Sequence, residues 1–189
     1  NLCKEAGYVE PKIDATKSMK NQAIYSTGPD EVYVRFGDAP IEGNRLQIKT
    51  QGTQMNSQML FNANTWYHIA YVCTGAKLYL YVNGQLDNSM DLPGKETRVS
   101  SVSISSNSTY NKGNSYYSEV RLWKKARSQK EIQNNMYSCD PTTPGFIFYY
   151  KFNEGQGFKF KDWSGNGNDA TTKDNLVPTW IQDVRIDGK

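Results

Sequence analysis

The chain is poor in the residues from which reactive or metal-bearing sites are built. Among 189 residues there is one histidine, His68, and there are three cysteines, Cys3, Cys73 and Cys139. No CxxC pair and no cysteine–histidine cluster occurs, so a zinc site has no support. Cys3 and Cys73 lie in apolar, strand-like surroundings, where cysteine serves as a small buried hydrophobe. Mostly reduced packing cysteines are expected, with one accidental disulfide left open. Long apolar runs are also missing, so no segment spans a bilayer and direct membrane insertion is not expected. No charged-then-apolar leader opens the chain, which implies either a piece of a longer precursor or a protein not exported by a standard signal. Nor does one sign of charge dominate: 22 Lys and Arg stand against 19 acidic residues, for a net charge of +3. Without a basic stripe, nucleic acid is not an expected partner.

What the chain does have is tyrosine. Its 13 Tyr, 7 Phe and 4 Trp accompany abundant Asn, Ser and Gly, a mixture suited to half-buried strands and polar loops. The length allows one sizeable core, and one domain over 1–189 is the default expectation.

Period-two alternation recurs. In "EVYVRFGD" Val32, Val34 and Phe36 alternate with Tyr33 and Arg35, "RLQIKT" repeats this with Leu46 and Ile48, and "VSSVSIS" with Val102 and Ile104. "FIFYYKF" is apolar on both faces, as a central strand would be. One helix is expected near 128–137: Ser128 and Glu131 form a capping box, and Ile132 and Met136 share a face four residues apart. Gly and Asn crowd "SSNSTYNKGNSYY" and "DWSGNGNDA", which are expected to be loops. The sum is an antiparallel all-β domain with one short helix.

The stretch "WYHIAYVCTGAKLYLYVNG", residues 66–84, ends on Asn83-Gly84, the strongest short hairpin signal. A three-residue turn at Thr74-Gly75-Ala76 would set Val72 opposite Leu78 and Tyr71 opposite Tyr79. Trp66, His68, Ala70, Val72, Leu78, Leu80 and Val82 would then form the core face, and Tyr67, Ile69, Tyr71, Tyr79 and Tyr81 the other. That second face is either amphipathic cover under the helix or a loop, or a stacking platform for sugar rings. On the core face His68 reads as a hydrogen-bonded core histidine rather than a catalytic base.

The hairpin resembles the signature hairpin of laminin G-like domains in the concanavalin A-like lectin and glucanase superfamily. "SEVRLWKKARSQKEI" resembles the strand-then-helix segment that follows it there, "YYKFNEGQGFKFKDWSGNGNDAT" resembles the family's Glu-Gly and Ser-Gly-Asn-Gly-Asn strand and loop, and "EAGYVEP" resembles a further strand. The resemblance implies a two-sheet antiparallel β-sandwich, a jelly roll. The Phe-Glu-Gly block often opens the family's domains but comes near the end here, which is similar to a variant found as a C-terminal module of bacterial surface proteins used in glycan capture. It therefore implies a fragment of an exported, extracellular or cell-surface protein, such as an outer-membrane lipoprotein, with neighbouring domains of the same polypeptide and glycan as partners.

Relatives that are glucanases carry Glu-x-Asp-x-(x)-Glu along one strand, so that alternate carboxylates share a face. No such motif occurs. Asp87 and Asp91 would share a face but lie about 13 Å apart, too far for a catalytic pair, and Glu154 reads as a turn residue. No hydrolase activity is expected. For binding, the loop residues Asn107, Tyr110 and Asn111 offer amides and a ring to a sugar, with Tyr116 and Tyr117 either joining them or packing. Tyr33, Arg35 and Asp38 form a second patch, readable as a polar groove or a surface ion pair. Asn107-Ser108-Thr109 is a glycosylation sequon, relevant in a eukaryotic source. Asp162, Asn166, Asn168 and Asp169 offer oxygens on a tight chain to a structural calcium, or form an Asx-rich turn capped by its own side chains.

Overall fold

The computed structural model describes residues 3–11, 23–27, 32–36, 44–62, 64–94, 101–105 and 115–181, without the side chains of 3–11, 23–25 and 27. The architecture is a pair of antiparallel sheets with one short helix. Strands β1 (Cys3–Pro11), β6 (Tyr67–Cys73), β7 (Lys77–Val82), β8 (Gln85–Asp91), β11 (Val120–Trp123) and β12 (Phe146–Tyr150) form the larger sheet in the order β12-β11-β1-β6-β7-β8, with β10 (Ser115–Tyr117) also pairing with β1. Strands β2 (Ala23–Thr27), β3 (Val32–Phe36), β4 (Leu46–Thr50), β5 (Thr53–Asn56) and β9 (Val102–Ile104) form the smaller sheet in the order β5-β4-β3-β2-β9. A two-stranded ribbon, β13 (Lys159–Phe160) with β14 (Ala170–Thr171), stands apart.

The alternation read from the smaller sheet holds. Val32, Val34, Phe36, Leu46 and Ile48 are buried in the main core, Val102 and Ile104 pack against it, and Met55 adds the edge strand. Its hairpin turns at Gln51-Gly52, both at positive φ (51° and 79°), the geometry of a two-residue type I′ turn.

The tyrosine-rich hairpin differs from expectation by one residue. Cys73 pairs with Leu78, Tyr71 with Leu80 and Ile69 with Val82, so Gly75-Ala76 is a two-residue turn rather than part of a three-residue one. Gly75 has φ 89°, and glycine in the first central position is the mark of a type II′ turn, whose twist matches that of the flanking strands. A one-residue slip turns a strand over. Leu78, Leu80 and Val82 face the core as expected, but their companions there are Tyr67, Ile69 and Tyr71. Ala70 and Val72 instead lie on the opposite side with Tyr79 and Tyr81, in a second cluster with Ile132 of the helix. His68, 1% exposed, shares that side by strand alternation. The rings are therefore packing groups: Tyr67 and Tyr71 fill the sandwich, Tyr79 and Tyr81 underlie the helix layer.

Helix α1 spans Gln129–Asn134, shorter than the 128–137 expected. The Ser128 capping box forms at its start. At its end the Asn135 amide folds back onto the Glu131 carbonyl, 2.7 Å away, and the Asn135 carbonyl is taken by Arg121. Met136 thus lies past the helix, though it still packs by the Asn83-Gly84 turn.

That turn is of the expected type, with φ 49° and 73° at its two residues, and it is also where the helix docks. Gln129 and Gln133 both donate to the Gly84 carbonyl, at 3.0 and 2.9 Å. A Cβ on residue 84 would stand 2.8 Å from Gln133 Cγ and 3.0 Å from Met136 Sδ. Gly84 is thus required twice, by φ and by space.

Strand β12 is a further correction: it lies at an edge, not in the centre. It is apolar on both sides because both are covered, Phe148 and Tyr150 by one cluster and Phe146 and Tyr149 by another. A bulge between Leu122 and Trp123 puts Phe146 and Tyr149, three apart, on one face.

Candidate functional site

Four of the residues singled out for binding, Asn107, Tyr110, Asn111 and Asp38, lie outside the described residues. Of the others, Tyr117 packs against two core clusters, and its burial pushes the phenol up to about 12. Tyr116, its neighbour on β10 and so on the opposite face, is half-buried. The stretch 115–117 is a strand, not loop as expected. Tyr33 and Arg35 share the outer face of the smaller sheet. Arg35 donates to Gln47 at 2.8 Å and its guanidinium lies 5.0 Å from the Tyr33 ring centre, while Tyr33 and Gln47 are only 7% and 2% exposed. Tyr33 presents no open stacking surface.

The loop at 162–169 has a structural task that the sequence reading only half saw. It runs along the open edge of β12. Asp162 Oδ1 accepts from the Tyr149 N–H (2.9 Å), the Ser164 N–H (2.9 Å) and the Ser164 hydroxyl (2.6 Å), and Oδ2 accepts from Asn168 N–H at 3.0 Å. The Asn166 amide donates to the Phe146 carbonyl (3.0 Å) and the Asn168 amide to the Ile147 carbonyl (2.7 Å). Asp169 accepts from Asp162 N–H at 2.8 Å, and Trp163 N–H returns to the Tyr149 carbonyl at 2.8 Å. The loop thus supplies what a neighbouring strand would, and blunts the edge against pairing with other chains. Its donors and acceptors are consumed by one another and by β12, which favours a self-supporting turn over a calcium cage. Among the described residues no three His, Cys, Asp or Glu side chains gather as a metal site.

Carboxylates read as non-catalytic have structural partners too. Asp91 pairs with Lys77 at 3.3 Å on the surface, and Glu154 accepts from Lys161 N–H at 3.0 Å in its turn. Asp87 is the extra residue of a bulge on β8, where the register shifts between Leu80 and Tyr81. The bulge re-aims its carboxylate, which accepts the N–H groups of Gln58 and Met59, each at 2.8 Å.

A buried charge network went unread in the sequence. Arg121 and Glu119, 2% and 6% exposed, pair at 2.8 Å beneath the helix. Tyr149 donates to the same carboxylate, and Arg121 reaches the Asn135 carbonyl. Burial and the adjacent carboxylate push the Tyr149 hydroxyl far above its ordinary range. Every partner lies inside the helix layer, so the network is a clamp rather than a site. Adjacent residues of like exposure in "SEVRLW" carry no periodic mark of it.

The polar surface that stays accessible lies at a seam. Strand β5 is the edge of one sheet and β8 the edge of the other, and between them an open groove of about 460 Å³ is lined by Arg45, Gln54, Met55, Asn56, Ser57, Gln58, Asn88, Ser89 and Met90. That volume falls in the range of small-molecule sites. Met55 and Met90 both pack on the core and make the apolar floor, while amides and hydroxyls make the walls. The edges are tied at one end by Asp87 and midway by Asn88, whose amide donates to the Asn56 carbonyl at 2.8 Å. Arg45 holds the 57–58 backbone, donating to the Ser57 carbonyl at 3.0 Å and to that of Gln58. The Asn56 side chain makes no hydrogen bond, and its oxygen is shielded from solvent.

A family model described as the concanavalin A-like lectin/glucanases superfamily matches residues 12–133, more than half of the chain. The chain belongs to the concanavalin A-like lectin/glucanases superfamily. No curated protein matches significantly. Among solved structures, a candidate carbohydrate-binding protein from Bacteroides ovatus ATCC 8483 aligns with TM-score 0.67 and 21% identity, over 96% of this chain and 60% of that one. A heptameric SAP-like pentraxin from Limulus polyphemus aligns with TM-score 0.53 and 15% identity, over 70% of this chain and 66% of that one. Domain 4 of an extracellular arabinanase from Geobacillus stearothermophilus, solved with arabinotriose, gives TM-score 0.53 and 14% identity over 70% and 65%. At these identities the likeness is one of fold: superfamily members of this kind share the sandwich. The third sequence block, 149–171, lies beyond the family match, yet it is the part that finishes the β12 edge.

Proposed function

We propose that the chain is a non-catalytic carbohydrate-binding module of a bacterial surface or secreted glycan-utilisation protein. The observation that carries this reading is the seam groove, a thioether floor walled by amides and hydroxyls. Sugars present C–H faces to apolar surface and hydroxyls to groups that both donate and accept. The Bacteroides ovatus neighbour and the arabinotriose-bound domain support the ligand class by analogy of fold. Against catalysis stand the occupied carboxylates: Asp87 and Glu154 each accept backbone N–H groups and Asp91 pairs with lysine.

This chain spans 60% of the length of the Bacteroides ovatus protein, and further domains of the same polypeptide are proposed as partners, in an extracellular or cell-surface setting such as an outer-membrane lipoprotein. No helix among the described residues is long and apolar enough to cross a membrane.

The rival reading is a spacer that contacts other domains and binds no sugar. One observation favours it: Tyr67 and Tyr71 are 6% and 1% exposed and Tyr79 and Tyr81 pack beneath the helix layer, so the hairpin offers no aromatic platform. A glycan array probed with the folded protein, in calcium and again in EDTA, separates the two. Specific binding is expected; a blank array in both conditions hands the case to the spacer. Loss with EDTA alone would return calcium to the loop of Asp162, Asn166, Asn168 and Asp169.

A further inference from the structure

Resting on the carbohydrate reading, we infer that the saccharide is held at the seam by Asn56, with a sugar ring laid against Met55 and Met90. Three observations converge. Asn56 stands on the edge strand β5 with its carboxamide unpartnered, while the amides beside it are committed: Asn88 donates to the Asn56 carbonyl (2.8 Å) and accepts from Ser89 N–H (2.8 Å). The carboxamide lines the groove, its oxygen turned away from water. A buried polar atom with no partner costs about 1–3 kcal/mol in the free protein. The floor below is the only part of the groove that is apolar, and methionine adapts its shape to what it touches.

A half-turn about the last side-chain bond of Asn56 exchanges its oxygen and nitrogen, so one rotation brings an acceptor to the groove surface. Acceptor and donor of one carboxamide match a vicinal pair of hydroxyls, one donating and one accepting. The ligand class is therefore a neutral saccharide with a free vicinal diol on the ring that enters the seam. A hydroxyl capped by a methyl group can no longer donate, and the site should reject it.

Free and bound states then place opposite demands on one side chain. Asn56→Ala removes the unpaired oxygen but keeps the backbone carbonyl that Asn88 uses, so it leaves the melting temperature unchanged or raised while it weakens binding. A residue with a merely structural role would not do this.

The test uses titration calorimetry on the whole chain with a fixed set of linear trisaccharides of glucose, mannose, galactose, xylose and arabinose, each free and fully O-methylated. Expected are binding of at least one free trisaccharide, none of its O-methylated form, and a loss of about tenfold or more in Asn56→Ala, the worth of one neutral hydrogen bond. Exposed Gln54→Ala, on the same strand, checks that a change in the edge alone does not abolish binding. If the wild type binds and Asn56→Ala binds equally well, the seam assignment is overturned and the carbohydrate reading stands. If the folded wild type binds no member of the set, both are overturned.

Discussion

The two sides of the larger sheet's hairpin region solve opposite problems. Under the helix, Arg121, Glu119, Tyr149 and the Asn135 carbonyl satisfy one another. At the seam, a few strands away, a carboxamide lines an open groove with no partner. Burial of charge is tolerable in the first place because its hydrogen bonds are complete. The incomplete second place is where a ligand has something to add. Polar satisfaction, more than the count of polar residues, separates scaffold from candidate site in this molecule.

The contrast can be broken at its stronger end first. Arg121→Ala strands the Glu119 carboxylate in the interior and is expected to cost about 3–5 kcal/mol in urea unfolding, whereas replacing Glu119 and Arg121 together by apolar residues of similar size should recover most of it. If the single substitution costs no more than a surface ion pair does, the clamp is not what holds the helix layer.

Gly84→Ala comes next. It loses about 1–2 kcal/mol from the left-handed backbone and more from the close approach of Gln133 and Met136. Gly52→Ala has a similar φ of 79° but nothing within 4 Å of the added Cβ, so it should show only the first share. Equal losses at the two glycines would mean that the helix does not dock on the 83–84 turn.

Ser128→Ala should cost about 1 kcal/mol through the lost cap. The Ser128 backbone N–H, then its hydroxyl and Arg127, hold the Glu131 carboxyl below its ordinary range. A depressed folded-state value contributes stability that is present above the unfolded value and is lost as pH falls through the folded one. Acid titration of stability should therefore be shallower in Ser128→Ala than in the wild type. The smallest effect on stability belongs to Asn56→Ala, whose melting temperature should not fall; a clear drop would make Asn56 part of the scaffold after all.

Much of the fold was legible. The smaller sheet could be read because each strand has one covered face, so Val32, Val34 and Phe36 alternate cleanly with Tyr33 and Arg35. Strand β6 could not, because it is buried on both sides and its near-continuous apolar run carries no face information. Only the turn could set the register, and Gly75 in the first central position was the signal for the two-residue form. For β12, the same two-sided apolar pattern suggested a central strand because the loop that covers its edge arrives from twelve or more residues later in the chain. The site was less legible still. The seam joins β5 to β8, and Asn56, Gln58 and Asn88 are ordinary polar residues in sequence.

By itself the sequence determined the class of structure: antiparallel strands from period-two patterning, sharp turns from Asn83-Gly84, a capped helix from Ser128 and Glu131, and the superfamily from its blocks. These depend on residues near one another in the chain, where local sterics and hydrogen bonding decide. The tertiary structure alone decided which face of β6 is core, that Arg121 and Glu119 are a buried clamp, that Asp162 and Asn168 finish a sheet edge, and that Asn56 stands unpartnered beside a methionine floor. Each of these turns on which distant groups meet and whether their hydrogen bonds close, and that is set by packing.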